Sequence, residues 1–410
     1  MKNSDGNNNA FIEIKKCRVC NSQNLSSILD LGSHPLANSL RENIEIKEIK
    51  VPLELKLCSN CKVAQLGHTV DPKVMFSNYL WVTGTSNTTT KHAEDFFKYS
   101  KENIKSIPNK VLEIASNDGT FLKPFKSAGS IVYGIDPAKN IAHLANAENL
   151  TTFVDFFSAN SYDRYNEKIG KVDFIFARNV LAHVPNPMGF IRGMNRFMKE
   201  DSIGAVEFHY SKIIIDELHY DSIYHEHYFY YSINNIKNML TQNELHIFDA
   251  KESPINKGNV IIYFSKKKLN YTESLDRYLL DENITDISSL WKNFAILANN
   301  HRAKFIDCLS SYDRITGFGS SARSSTLLNF ANINNSKIRI IVDNNQLKQN
   351  KYTSGSDIQI VSPNNIDWQN EKIILVLAWN FFDEIKQFLL DNKFKGTLIK
   401  PFPEVETFLI

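Results

Sequence analysis

The chain has 410 residues, 42% of them apolar and 22% charged, with a net charge of +2 at neutral pH. That is enough for two or three domains with more than one core, in the composition of an ordinary globular protein. It leaves no electrostatic case for nucleic acid or an anionic membrane as partner, and no apolar run is long enough to span a bilayer.

The first ten residues, MKNSDGNNNA, lack the apolar centre of a signal peptide and read as a disordered tail. The expected compartment is therefore the cytoplasm, where thiols stay reduced, so the five cysteines point to metal or free thiols and not to disulfides. Cys17-Arg-Val-Cys20 and Cys58-Ser-Asn-Cys61 are two CxxC knuckles. Each sets two thiolates on one turn, and together they supply a closed tetrahedral site for one structural zinc. A redox CxxC is the alternative, but it lacks a thioredoxin-like context and does not explain two copies. The remaining thiol, Cys308, is expected to be buried and inert. The stretch from Met75 to Ser86, which mixes Tyr79 and Trp81 with Thr, Ser and Gly, reads as a loop lining a site or as packing under a linker.

Thr89 to Ser106 has helical spacing and leads into VLEIASNDGTFLKPFKSAGSIVYGID, residues 111 to 136. Val111 to Ile114 is a short buried strand, Ala115 to Gly119 a sharp small-residue turn, the stretch to Ala128 a helix, and Ile131 to Ile135 a second strand ending on Asp136. This is the first half of a nucleotide-binding βαβ unit, with an acid placed to accept hydrogen bonds from a ribose. A strict GxGxxG is missing, because Ala115 and Asn117 stand where glycines would cradle a pyrophosphate. With Glu113 at the end of the first strand, the loop suits a ribose without phosphate, as in S-adenosylmethionine. An α/β crossover with no ligand is the plain alternative.

The alternation continues through a helix at Ile141–Ala147, strands at Thr151–Val154 and Val172–Ala177, a helix at Met188–Met198 and a strand at Ile203–Phe208. A doubly wound sheet follows from that rhythm, with function at the carboxyl ends of its strands: Glu113, Asp136, Asp155-Phe156 and Asn179 to His183. The densest chemistry is Tyr224-His225-Glu226-His227-Tyr228. If extended, it puts His225 and His227 on one face and Tyr224, Glu226 and Tyr228 on the other. Such a cluster can hold a general base, an orienting carboxylate and a phenol for an oxyanion. A metal at HxH lacks a third ligand, and a packed aromatic hairpin with satisfied histidines remains open. Asn270 to Leu309 reads as helical. Gly317-Phe-Gly319-Ser-Ser-Ala322 then opens a helix, a strand ends on Asp343, and two more strands follow at Glu371–Ala378 and Thr397–Ile399. Alone, that unit is a weak dinucleotide fingerprint, and its helix start suits any phosphate.

Taken together, CxxC…CxxC, LGSHPLAN to Asn38, VLEIASNDG to Gly119, GIDPAKNIA, NVLAHVP, IYHEH to His227, GFGSSAR to Arg323, VDNNQLKQNKYTSG and LAWN resemble the sugar C-methyltransferase family. Its closest type here methylates C-3 of deoxyribonucleoside-diphosphate 4-keto-deoxysugars, and the match runs from about Cys17 to Pro403. The resemblance implies an α/β chain with a small N-terminal zinc-binding domain (11–75), a central class I S-adenosylmethionine methyltransferase domain of Rossmann-like fold (76–268), a helical connector (269–310) and a C-terminal Rossmann-like domain (311–410). It implies that Glu113, Ser116, Asp118, Gly119, Asp136, Asp155, Phe156 and Asn179 surround S-adenosylmethionine. His227 would take the proton α to the ketone, Tyr224 and His183 would stabilise the enolate, Glu226 would orient the cluster, and Tyr79 would stand at the sugar. His225, Gly319, Ser320, Arg323, Tyr352 and Trp379 are assigned to the nucleotide-diphosphate sugar, and Cys17, Cys20, Cys58 and Cys61 to zinc.

Three departures lie in substrate-facing regions. The family's His-Gly-Gly-Ser-x-Arg run is Ile255 to Ile262 here, Trp81 replaces a common tyrosine, and Ser324-Ser325 stand where Lys/Arg-Gly-Asn is frequent. Competing readings are O- or N-methylation of a nucleotide-sugar, a degraded nucleotide-sugar-binding protein, and a dehydrogenase using the Gly317 loop. The sugar, the nucleotide, the end product and the oligomeric state are left open.

Overall fold

A computed structural model describes residues 11–77, 82–85, 87–254 and 258–410. The expected tail, Tyr79, Trp81 and residues 255–257 lie outside the described residues.

The first sheet is antiparallel. Leu25–Pro35 pairs with Lys50–Cys58, and Ala64–Leu66 adds beyond it. Val51, Leu53, Leu55 and Leu57 alternate inward, the period-two pattern of a strand with one buried face. Its fourth strand, Phe229–Tyr230, comes from the centre of the chain, with Phe229 opposite Gln65 and Tyr230 opposite Ala64. The zinc domain is thus closed by the segment that carries the histidine cluster.

Seven strands form the central sheet, in the order His246–Ser253, Asn259–Ser265, Met198–His209, Val172–Arg178, Lys110–Ile114, Ile131–Asp136, Thr151–Val154. Asn259–Ser265 runs antiparallel to both neighbours, and the five strands from Met198–His209 to Thr151–Val154 are parallel. Chain direction along the sheet reverses between Lys110–Ile114 and Val172–Arg178, which opens a crevice at their carboxyl ends. The Pro187–Phe197 helix starts where expected, with Asn186 accepting the Gly189 N–H at 2.9 Å and proline in the first turn. It buries Phe190, Ile191, Met194 and Phe197.

The C-terminal sheet has the order Gln359–Val361, Ile338–Val342, Ile315–Phe318, Ile373–Val376, Thr397–Lys400, Glu406–Leu409, parallel except for the last strand. Its reversal also lies beside its first strand, the arrangement of a Rossmann-like sheet. Between the two α/β sheets in the sequence come the helices Glu273–Asn283 and Ile287–Ser310. The second buries Trp291, Phe294, Phe305 and Leu309 in a core shared with Leu53 and Leu55 of the zinc domain and Ile338 of the C-terminal sheet. Each such side chain contributes on the order of 1.5–3 kcal/mol, so this helix joins the first and last domains through apolar burial. Cys308 on the same helix is half-buried instead of fully buried, and burial pushes its thiol up, away from thiolate character. No helix among the described residues is long and apolar enough to cross a membrane.

Candidate active site

The two knuckles converge. Their four sulfurs lie within 4.8 Å of one another, with Cys17 to Cys61 at 3.6 Å and Cys20 to Cys58 at 3.5 Å. A tetrahedron of Zn–S bonds of about 2.3 Å has S···S edges of about 3.8 Å, so the cage fits zinc. Both knuckles turn the same way: Asn21 and Lys62 each have φ of 59°, and their N–H groups reach back to the carbonyls of Cys17 and Cys58 at 2.9 Å.

A single cavity of about 760 Å³ opens above the crevice of the central sheet and is walled by all three domains. Backbone conformation shapes its floor. After the Lys110–Ile114 strand, Ala115 (φ 55°), Asn117 (φ 51°) and Gly119 (φ 76°) alternate into the left-handed region, and Asn179 (φ 49°) does so after Val172–Arg178. Non-glycine residues held there cost energy and gather at functional turns. The turn packs against Gly134, where a Cβ would come within 2.3 Å of Ser116 Oγ.

Glu113, Ser116, Asp136, Phe156 and Asn179 line the cavity. Glu113 is buried and its carboxyl is pushed well above the usual range, by burial first and by nearby acids, against the pull of Arg178. Its Oε2 and the hydroxyl of buried Ser116 have no hydrogen-bond partner among the described residues. Buried polar atoms left open on a cavity wall are the requirement of a polar ligand, and a cationic one suits Glu113. The residues therefore fit S-adenosylmethionine. Asp136 accepts the N–H groups of Asn117 and Ala138, each at 2.8 Å, which offset the upward push of burial on its carboxyl. Asn179 Oδ1 is held at 2.8 Å by Asn259, which also donates to Glu207. Asp118, Gly119 and Asp155 stand behind this wall. Asp118 accepts from Gly84 N–H at 2.9 Å, Gly119 packs on Leu150, and Asp155 is engaged by Arg164 and Tyr165.

Opposite lies the histidine cluster. Residues 224–227 form a turn, with His227 N–H donating to the Tyr224 carbonyl at 2.9 Å, and not the extended run that puts the two histidines on one face. The turn sends Tyr224, Glu226 and His227 to the cavity together with His183. His225 goes the other way, its Nε2 3.1 Å from the Val51 carbonyl of the zinc-domain sheet. His227 Nδ1 donates to the Ser222 carbonyl at 3.0 Å, so Nε2 carries the lone pair, and Tyr224 OH points at it from 2.9 Å. His183 Nδ1 donates to the Glu226 backbone carbonyl at 2.7 Å, leaving its Nε2 as an acceptor. Burial holds both histidines neutral, His183 down to about 4 and His227 well below its ordinary value. Burial raises the Glu226 carboxyl to about 7 against a hydrogen bond from Asn38. The orienting group of His227 is thus a backbone carbonyl, and the Glu226 side chain faces Asn38.

From the C-terminal domain, Arg323, Asn345, Lys348 and Asn380 complete the wall. Arg323 makes a two-pronged bond to buried Asp221 at 2.8 and 3.0 Å, stacks over Trp379, and shares Asp221 with the Trp379 indole N–H. The other acceptor residues named from the sequence are not on the wall. Trp379 is buried under Arg323, Tyr352 bridges to Arg41, Ser320 is held by Asp343 and Lys348, and a Cβ on Gly319 would strike Ala378 at 2.4 Å. Ser324 completes a capping box with Ser321 instead of facing the cavity. Asp343, the acid of the dinucleotide-like unit, is spent on Ser320, Asn345 and Lys348.

Arg178, His209, Asn38, Asn259 and Lys348 also line the cavity and carry no role in the sequence reading. His209 was within reach, being the residue after an expected strand, at its carboxyl end. Asn38 closes the LGSHPLAN run without a role being evident, and Asn259 gives no signal, because their partners are 188 and 80 residues away.

Family models match in the same order as the domains: a putative zinc binding domain over residues 17–76, a methyltransferase domain over 91–249 and a C-methyltransferase C-terminal domain over 254–403. A relative, C-methyltransferase NovU of Streptomyces niveus, is 27% identical over 406 residues, spanning 95% of this chain and 96% of that one. The three models together span residues 17–403, and with this relative they show an S-adenosylmethionine-dependent C-methyltransferase. This C-methyltransferase uses S-adenosylmethionine as methyl donor and carries a structural zinc site. Among solved structures, magnesium protoporphyrin IX methyltransferase of Synechocystis PCC 6803 with bound S-adenosylmethionine matches 48% of this chain and 99% of its own, at 14% identity and a TM-score of 0.37. The plantazolicin methyltransferase BpumL with S-adenosylhomocysteine matches 44% and 85%, at 15% identity and a TM-score of 0.36.

Proposed function

We propose that this C-methyltransferase acts on a nucleoside-diphosphate 4-keto-deoxysugar and methylates the ring carbon beside the ketone, C-3. The observation that carries the reading is the Tyr224–His227 pair, a phenol 2.9 Å from an imidazole lone pair in a cavity shared with the donor wall. A carbon acid needs a base and an oxyanion partner within reach of adjacent atoms, and this pair supplies both.

S-adenosylmethionine supplies the electrophilic methyl group. Before the acceptor binds, Tyr224 OH occupies the lone pair of His227. A ketone oxygen placed beside Tyr224 takes over that hydroxyl and frees His227 Nε2 for the α-proton. Burial raises the Tyr224 hydroxyl above its ordinary pKa, so it stays protonated as a donor to the enolate oxygen. Neutral His183, with Nδ1 engaged, can only accept at Nε2, which suits a sugar hydroxyl better than an enolate. Arg323 and Lys348, the cations on the C-terminal part of the wall, favour a diphosphate there. The Ser222 carbonyl holds the imidazole of His227 in the tautomer the step needs.

The test uses a panel of deoxyribonucleoside-diphosphate 4-keto-deoxysugars in heavy water without methyl donor. The α-proton exchanges in the native protein, and the rate falls by roughly 10²–10⁴-fold in His227→Ala. Methyl transfer without any exchange across the panel overturns the enolate route in favour of O- or N-transfer.

A further inference from the structure

We propose that His209, His219 and Glu217 form the route by which the proton taken from the acceptor leaves the site. The inference rests on the α-deprotonation proposed above and adds what that step leaves unexplained, namely where His227 sends its proton. One nitrogen of His227 is committed to the Ser222 carbonyl and the other to Tyr224, and neither partner leads outward.

His209 ends the Met198–His209 strand and lines the cavity. Its Nε2 lies 3.5 Å from His219 Nδ1, at the outer limit of a hydrogen bond, with ring centroids 5.6 Å apart and planes inclined by 38°. His219 is fully buried. Its Nε2 is 3.1 Å from a carboxylate oxygen of Glu217, close enough for an ion pair but not aligned as a hydrogen bond until one of the two side chains turns, and the Glu217 side chain is 44% exposed. Titratable groups thus run from the cavity wall through the interior to the surface with no step above 3.5 Å. Trp379, whose ring centroid is 5.0 Å from that of His219, flanks the middle of the route with apolar surface. Burial, then Arg323 and His219, hold His209 neutral, so one nitrogen can receive a proton while the other gives one up. His209 and His227 line the same cavity, so a water held there can bridge them.

The balance is simple. The α C–H bond breaks, its electron pair stays on the acceptor as the enolate, and the proton goes to His227 Nε2. The pair then forms the new C–C bond to the donor's methyl carbon while the methyl–sulfur bond breaks, its electrons going to sulfur, so that S-adenosylhomocysteine leaves. The proton passes from His227 to His209, directly or through one water; His209 Nε2–H goes to His219 Nδ1, and His219 Nε2–H to Glu217 and solvent. Each imidazole gains one proton and loses one, and rotation about its side chain restores the starting tautomer.

Exchange in heavy water needs the proton to leave, whereas one round of methyl transfer needs it only to come off carbon. The experiment therefore compares, on a 4-keto-deoxysugar nucleotide, exchange without donor against single-turnover methyl transfer. His219→Asn and the surface variant Glu217→Gln are expected to slow exchange by about tenfold or more while single-turnover transfer changes by less than about threefold. Added imidazole is expected to restore exchange in His219→Gly, which a packing role would not produce. Rates that fall together, or exchange that is unchanged in both variants, overturn the relay alone. A native protein that transfers methyl but exchanges nothing overturns the enolate reading and the relay with it.

Discussion

Glu226 concentrates the electrostatic oddity of the site in one carboxyl. Burial lifts it to about 7, and Asn38 is its side-chain partner. A carboxyl whose folded pKa lies above its unfolded value binds a proton in the native state that the unfolded chain has already released. Its contribution to stability is therefore complete below the unfolded value of about 4.3 and is lost as pH rises towards 7. Glu226→Gln mimics the protonated form and should remove that loss. Denaturant unfolding should find the variant gaining on the native protein by up to about 3 kcal/mol between about pH 5 and about pH 8. An equal difference at both pH values would show that the carboxyl titrates normally. Near neutrality the same group can donate as well as accept, a property no motif reading of Tyr-His-Glu-His contains, because it comes from the walls around the side chain.

At the scale of elements, the zinc domain braces the turn proposed to be catalytic. Phe229–Tyr230 is a strand of its sheet, Leu66 N–H bonds the Tyr228 carbonyl at 2.9 Å, and Asn235 holds the Cys61 carbonyl at 2.9 Å. His225, Tyr228 and Glu226 are tied to Val51, Val70 and Asn38 of the same domain. Structural zinc sites contribute on the order of 10–16 kcal/mol to the folding of small domains, so removing one ligand should loosen the turn that rests on it. Cys58→Ser is expected to lower the metal content from about one zinc per chain to none and methyl transfer by about 100-fold, while S-adenosylmethionine still binds, since the wall proposed for it belongs to the central sheet. Metal analysis, kinetics and calorimetry check the three outcomes separately, and full activity in a metal-free variant would refute the bracing role.

Across the whole molecule, the part of the cavity proposed for the acceptor depends on a contact between domains. Asp221 sits one turn before Tyr224 and receives Arg323 and Trp379 from the C-terminal domain. Removing one partner of a buried ion pair typically costs about 3–5 kcal/mol, because the other charge is left unpaired. Asp221→Ala should lose on that order in denaturant unfolding. It should raise KM for the nucleotide-sugar while leaving donor affinity unchanged; weakened donor binding in parallel would point to general misfolding instead.

What the sequence determined by itself was the part written in local pattern. Paired CxxC spacing dictates a four-sulfur cage, short apolar runs punctuated by turns dictate two doubly wound sheets, and small residues between Ile114 and Phe121 dictate a sharp loop under a ligand. These signals survive because the physics behind them acts within a few residues. The acceptor side was not legible in the same way. An alternating reading of residues 224–228 pairs the wrong side chains, since a single turn reverses which of them face inward. Tyr352 and Trp379 stand in motifs yet brace the structure away from the cavity, while Asn38 and Lys348 reach the wall from motifs that assigned them no role and His209 from no motif. These points emerge only in the folded chain, because side-chain direction and proton affinity there are set by partners more than a hundred residues distant in several cases and by the exclusion of water between three domains.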